Sequence, residues 1–277
     1  MSLGGRRVPV TQPRVRASNG SRKLPVASYE VLDSTEVLGW MAMDRMRAGL
    51  STHCHQIDLE PVGAAVQASA SGTSRSAVSR KFVAQTETAL AELLSADLST
   101  LDLVALMIDG VHFAESCCVV ALGIDLQGTK HPPALVEGST EDATLTTELL
   151  VGLRDRGLDV TRPILVVLDG SSALRKAVVD VFDHPIIARC QLHKIRNVQD
   201  KLPQHLRGPV GTKMRAAHHA NSALLAEAQL QALARELDKT HPQVAASMRE
   251  GLAETLTVLR LAVPPTLARS LNPDPPS

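Results

Sequence analysis

The stretch Leu103 to Gly110, Leu-Val-Ala-Leu-Met-Ile-Asp-Gly, is an apolar run of strand length that ends in an acid and a glycine. A run with no polar alternation reads as a strand covered on both faces. Asp109 then sits where the strand leaves the core, and Gly110 lets the chain turn there without a side-chain penalty. The pattern returns at Pro163-Ile-Leu-Val-Val-Leu-Asp169-Gly170. Two buried strands, each delivering an aspartate at its carboxyl end, bring two carboxylates to one edge of one sheet. That arrangement suits a divalent metal held beside a phosphate.

The elements between the two runs fix how they are arranged. Leu103 to Val111, Cys117 to Leu126 and His131 to Glu137 read as three strands joined by brief turns, an antiparallel meander. Thr144 to Arg156 reads as a helix with Leu145, Leu149, Leu150 and Leu153 on one stripe and Gly157 as its stop. Ile164 to Leu168 is the fourth strand, Ser171 to Phe182 a helix, and Pro185 to Ala188 a fifth strand running on toward His193. The order β-β-β-α-β-α-β predicts an α/β fold, an RNase H-like mixed sheet with flanking helices. In that sheet the first and fourth strands are neighbours, so Asp109 and Asp169 meet.

Around this core the expected organisation is a basic flexible arm over 1–27, a helical DNA-binding region over 28–100, the RNase H-like core over 101–200, a helical insertion over 201–263 and a disordered tail over 264–277. Val37, Leu38, Trp40, Met41 and Met46 mark a short amphipathic helix or two between Tyr29 and Gly49. Pro61 opens a helix, Ala70-Ser71-Gly72-Thr73 breaks it, and a second helix starts near Ser74. Helix, glycine-bearing turn and helix suit a helix-turn-helix, with Ser74, Arg75, Ser76 and Ser79 facing the groove and Arg80 and Lys81 beside them. An ordinary helical hairpin fits the same segment. In the insertion, Leu224, Leu225, Ala228, Leu230, Leu233 and Leu237 mark one helix and Met248, Leu252, Leu256 and Leu259 another, which Pro264-Pro265 stops.

Composition narrows the partners. The net charge is +0, but Met1 to Pro25 holds six basic residues and no acid, and Arg189 to Arg215 holds seven against Asp200 alone. Such islands suit a polyanion or a solvated surface. Aromatics at 2% leave few stacking platforms for single strands, so a nucleic-acid partner would be duplex. Cys54, Cys117, Cys118 and Cys190 follow no disulfide or zinc-finger spacing, which predicts a reducing compartment. No long apolar span is present, so a soluble cytosolic protein is expected.

Asp109 and Asp169 are the candidate metal ligands, with Mg2+ (or Mn2+) the natural ion for hard carboxylate oxygens. Asp125 and Glu137 read as turn and surface acids. Cys190-x-x-His193 supplies half a zinc set without a second pair at suitable spacing, and also reads as plain strand-end residues. Lys194, Arg196 and Lys201 suit phosphate contacts or a solvated helix face.

Ile108-Asp109-Gly110, Leu168-Asp169-Gly170 with Ala173 to Ala177, and Arg189-Cys190-Gln191-Leu192-His193-Lys194 together resemble the Mutator-type bacterial insertion-sequence transposases. Gly72 to Ser79, Ala121 to Ile124, Glu137 to Asp142 and Glu250 to Thr257 extend the resemblance, in order, over roughly Arg6 to Leu271. It implies a DDE catalytic core interrupted by a helical insertion, with Asp109 and Asp169 as the first two acids and Cys190 and His193 as the family's signature pair. It implies magnesium-dependent cutting of transposon ends and strand transfer into target DNA. The implied partners are double-stranded DNA and further copies of the chain, in a bacterial cytoplasm at the nucleoid, with no membrane.

The sequence departs from that pattern at its end. The family's third acid is a glutamate beyond the insertion; none follows Glu254 here, Glu250 and Glu254 match insertion positions, and Asp274 is flanked by prolines. The expectation is a transposase truncated at both ends and catalytically incomplete. The rival expectations are a non-catalytic DNA-binding or dimerising remnant that modulates an intact transposase, or a decayed product with an uncovered sheet.

Overall fold

The computed structural model describes residues 1–3, 5–11, 36–51, 61–113, 116–138 and 143–271, with isolated positions 16, 29, 30 and 59. Asp274, Cys54 and most of the arm expected over 1–27 lie outside the described residues. The chain divides after Leu93 into two compact units.

In the first unit, strands β1 (Ser2–Leu3) and β2 (Arg6–Arg7) pair antiparallel. Arg7 also exchanges backbone hydrogen bonds of 2.9 and 2.8 Å with Ser71. The start of the chain is therefore paired backbone with Val8 and Arg6 buried, and not a free arm. Helix α1 (Glu36–Arg47) buries Leu38, Ala42 and Met43, which share a face at four- and five-residue spacing, and exposes Val37 and Trp40. Helix α2 (Ala64–Ser69) starts three residues after Pro61 and buries nothing. After the turn at Gly72 comes α3 (Arg75–Ser95), whose N-cap is Ser74: its Oγ accepts from the Ala77 N–H at 3.3 Å.

The second unit holds the expected sheet. Strands β3 (Leu103–Phe113), β4 (Ser116–Asp125), β5 (Lys130–Gly138), β6 (Ile164–Leu168) and β7 (Pro185–Arg189) lie in the order β5-β4-β3-β6-β7. The meander β3-β4-β5 is antiparallel, and β6 and β7 run parallel to β3. Strand β3 does not turn at Gly110: its pairing with β4 continues to Phe113–Ser116, whereas its pairing with β6 ends at Ile108–Leu168. Asp109 thus marks the end of the parallel ladder, not the end of its strand.

Each face of the sheet is covered separately. Leu106, Ile108, Cys117, Val119, Val166 and Leu168 form one face. Over it lie α4 (Ala143–Asp155), through Leu149, Leu150 and Leu153, and α5 (Ser172–Val181), through Leu174, Ala177 and Val178. The other face, Ala105, Ile124, Leu165, Val167 and Ala188, packs against Val258, Leu267 and Leu271.

The rest is helical: α6 (Gln191–Asp200), α7 (Gln204–His218), α8 (Ala223–Asp238), α9 (Pro242–Arg249), α10 (Leu252–Thr255), α11 (Thr257–Arg260) and α12 (Pro265–Leu271). These helices build a second core of their own, including Val198, Met214, Leu230, Leu233 and Leu256. Three expectations are corrected here. Helix α8 buries Ala226, Leu230, Leu233, Ala234 and Leu237, while Leu224 and Leu225 in its first turn are exposed. The stripe from Met248 to Leu259 is broken into three helices, first at Gly251, which turns in a left-handed conformation, φ +62°, and again at Leu256. Pro265 opens a helix instead of ending one, and the part of the expected tail up to Leu271 is ordered through burial of Leu267 and Leu271.

Candidate active site at the carboxyl edge of the sheet

Strand parity places the acids. Ala105 and Met107 lie toward the face covered by α11 and α12, so Asp109, two residues on, lies on that side as well. Leu165 and Val167 put Asp169 on the same side by the same step, and Ala188 does so for Cys190. Ile108 pairs with Leu168 and Leu168 with Arg189, so the three residues sit side by side where the parallel ladder ends. Asp109 and Asp169 thus follow neighbouring paired positions on the same face, and Cys190 follows the next one.

Each acid is held differently. The Asp169 carboxylate accepts the Ser171 N–H at 2.7 Å, and Ser171 in turn caps α5. The side chain of Asp109 is 49% exposed, and the His193 Nε2 stands 3.9 Å from its Oδ1. The Cys190 N–H donates to the Leu168 carbonyl at 2.6 Å, which carries the ladder one step past β7. Cys190 is then the N-cap of α6, and His193 lies one turn in, at i+3. The expected run of the strand toward His193 is replaced by this helix start. The Cys190 contact raises His193 above its ordinary value against the opposing effect of burial, and the charges of Asp109 and Asp169 add to the rise. Burial pushes the Cys190 thiol up, but its interactions with His193 outweigh burial and leave it below the usual thiol range. The His193 Nδ1 is buried and forms no hydrogen bond among the described residues.

The two aspartates supply hard oxygen donors on one open face, which fits an ion such as Mg2+ that keeps part of its water shell. No group of three or more His, Cys, Asp or Glu side chains is arranged to hold a metal among the described residues. Asp125 is a turn acid, accepting the Gln127 and Thr129 N–H groups at 2.9 Å each and meeting His131 at 2.9 Å. Glu137 lies on the edge strand opposite Cys118. Glu254 pairs with Arg175 at 3.2 Å and Glu250 with Arg189 at 3.4 Å.

The basic candidates divide. Arg196 is exposed on α6, and Ser74, Arg75, Ser76, Ser79 and Arg80 are exposed on the first turns of α3 and its cap. Lys194 is 2% exposed, and its ammonium donates to the carbonyls of Ser247 and Glu250, so it is not available to a phosphate. Lys81 is half-buried and donates to the Gly72 carbonyl at 2.9 Å. Arg189, read in the sequence only as the first residue of the Arg189 to Lys194 motif, is 9% exposed and lies against Gly170.

The family described as transposase, Mutator family, matches residues 34–270. The chain belongs to that family. It is similar to the transposase for insertion sequence element IS6120 of Mycolicibacterium smegmatis, with 28% identity over 155 residues, 54% of this chain and 47% of that one. The transposase for insertion sequence element IST2 of Acidithiobacillus ferrooxidans is 26% identical over 140 residues, 50% and 47% of the two chains. A probable insertion-sequence transposase of Corynebacterium diphtheriae is 28% identical over 164 residues, 59% and 47%. The matched region spans about half the length of these relatives.

Proposed function

We propose that this chain is the DNA-processing core of an insertion-sequence transposase, with Asp109 and Asp169 as the carboxylates of its phosphodiester-cleaving and strand-transfer site. What carries the reading is the placement of both acids on one face, on adjacent strands just past the end of their parallel ladder, within a family match over 34–270. Mg2+ or Mn2+ held there would polarise the scissile phosphate and assist the attacking oxygen. Asp109 and Asp169 would hold the ion, and the Ser171 N–H fixes one Asp169 oxygen. Arg196 and the exposed start of α3 supply contacts to duplex DNA, Ser74, Arg75, Ser76, Ser79 and Arg80 among them. Lys194 is left out of that set because of its burial. Assembly into a homo-oligomer at the bacterial nucleoid goes with this reading; no helix among the described residues is long and apolar enough to cross a membrane.

A second reading is favoured by the fates of Glu250 and Glu254. Both are engaged by arginines, and no third acid joins the pair among the described residues. On this reading the 277-residue chain binds DNA and modulates an intact transposase while cutting DNA weakly or not at all.

One set of assays separates the two. Purified chain is incubated with supercoiled plasmid and Mn2+ or Mg2+, and duplex binding is followed across a salt series. The first reading expects Mn2+ binding that Asp109→Ala and Asp169→Ala abolish, and duplex affinity that falls steeply with salt. Absence of Mn2+ binding overturns the carboxylate site. Nicking that Asp109→Ala removes overturns the non-cutting reading.

A further inference from the structure

One strand along from Asp169, on the opposite face of the sheet, lies a basic side chain that reaches Glu250 through one end of its guanidinium only. Arg189 ends β7 next to Leu168, is 9% exposed, and its Nε is buried without a hydrogen-bond partner among the described residues. Two glycines from distant parts of the chain lie close against it. A Cβ on Gly170 would lie 2.5 Å from the Arg189 Cζ, and one on Gly251 would lie 2.6 Å from its Nη1. Both glycines have positive φ, +109° and +62°, so geometry and backbone conformation each demand glycine there. Gly170 follows Asp169 directly, and Gly251 belongs to the turn that ends α9 of the helical module.

The same turn is gripped at several points. The Arg189 Nη1 donates to the Glu250 carbonyl at 3.4 Å, and Lys194 donates to the carbonyls of Ser247 and Glu250. Lys201 donates to the Ser247 hydroxyl at 3.0 Å. Nearby, Gln191 donates to the Thr255 carbonyl at 3.3 Å, and the Thr257 hydroxyl donates to the Ile187 carbonyl at 3.0 Å on the outer edge of β7. These bonds hold the module to the segment from Ile187 to Lys201. Arg189 in that segment lies against both Gly251 of the module's turn and Gly170, the residue that follows Asp169.

We propose that Arg189 is a positioning residue, clamped between Gly170 and Gly251, through which the 247–251 turn of the helical module sets the placement of the Asp169 carboxylate. A partner or DNA segment that shifts the module would then shift Asp169. The proposal rests on the reading of Asp169 as a site carboxylate only where it speaks of metal; the mechanical coupling stands apart from it.

The test uses the full chain and two readouts, amide exchange at Ser171, whose N–H is held by Asp169, and Mn2+ affinity by electron paramagnetic resonance. Gly251→Ala, which touches neither acid, and Arg189→Met are each expected to speed Ser171 exchange about tenfold through local opening. Each should weaken Mn2+ binding about tenfold, as loss of an orienting neighbour does. Arg189→Lys keeps a charge near the carbonyl but loses the plane, and should show the same direction if Arg189→Met does not fold. Leu233→Ala, in the module's own core and away from the turn, controls for general loosening and should leave Ser171 near wild type. Wild-type exchange at Ser171 in Gly251→Ala overturns the coupling, as does an equal rise in Leu233→Ala. Coupled exchange in a protein that binds no Mn2+ at all would uphold the coupling and discard the metal reading.

Discussion

Lys194 and Glu250 meet through the backbone more closely than through their charges: the ammonium lies 2.5 Å from the Glu250 carbonyl oxygen and 4.0 Å from its carboxylate. The lysine acts as a donor to the carbonyls that close α9. Burial pushes it down to about 8, with Arg189 adding to the fall and Glu250 opposing it.

A pH dependence follows from that shift. The unfolded chain holds the Lys194 proton up to the ordinary value of 10.5, while the folded chain releases it from about 8. Between these values the unfolded state binds more protons, so stability rises with pH, with a limiting slope of about 1.4 kcal/mol per pH unit. Urea unfolding from pH 7.5 to 10.5 should show this rise in wild type and not in Lys194→Met. At neutral pH the variant leaves two carbonyls without their donor, an effect of about 1–3 kcal/mol for each such group before relief of the buried charge.

His218 gives a second pH window of different origin. It is 5% exposed at the end of α7, both ring nitrogens lack partners among the described residues, and burial with the neighbouring His219 lowers it to about 4. It lines a cavity of about 340 Å3 with Gln191, Asn221 and Val258. Because its folded value lies below the ordinary 6.5, its contribution is present above pH 6.5 and lost as pH falls toward 4. Melting temperatures of wild type should fall across that window more steeply than those of His218→Leu. Parallel curves would show that the ring gains its proton without cost.

Much of the fold was legible because apolar periodicity is a local signal. Leu103 to Ile108 and Ile164 to Leu168 could only be doubly covered strands, and the element order made them neighbours. The placement of Asp109 and Asp169 on neighbouring strands followed from that order. What stayed hidden depends on contacts across long sequence separations. Lys194 reads as a surface or phosphate-binding residue until Ser247 and Glu250, more than fifty positions away, are seen to receive it. Arg189 carries no local mark of burial, and Gly170 and Gly251 declare their positive φ only in the folded chain. Leu224 and Leu225 extend an apolar stripe in sequence, but the start of α8 runs past the module's core.

The Cys190–His193 contact should be visible in thiol chemistry. His193 holds the Cys190 thiol below its usual range although burial works the other way. Thiolate is the reactive form, so Cys190 should alkylate with iodoacetamide at lower pH than a free thiol of ordinary titration. His193→Ala removes the opposing effect and leaves burial, and its Cys190 should react several-fold more slowly near pH 7.5. Peptide mapping of the alkylated chain checks this, and an unchanged rate in His193→Ala would mean that the ring does not act on the thiol.

The helix Pro265–Leu271 bears on whether the second face of the sheet is covered. Leu271 is 1% exposed and Leu267 is buried, and both pack with Val258 against Ala105, Leu165 and Val167. The Ser270 hydroxyl donates to the Gly128 carbonyl at 3.3 Å, which ties the helix to the turn between β4 and β5. That face also carries the site acids, since Asp109 and Asp169 continue the rows of Met107 and Val167. Truncating a fully packed leucine removes its transfer energy and leaves a cavity, about 2–5 kcal/mol in total. Leu271→Ala should therefore lower the unfolding midpoint in denaturant, and the bared face should bind a hydrophobic dye such as ANS at concentrations where wild type does not. Leu224→Ala, at a leucine already in solvent, should leave both measurements unchanged. If Leu271→Ala unfolds with the wild-type midpoint, the cover over this face does not depend on α12, and Val258 with α11 must carry it.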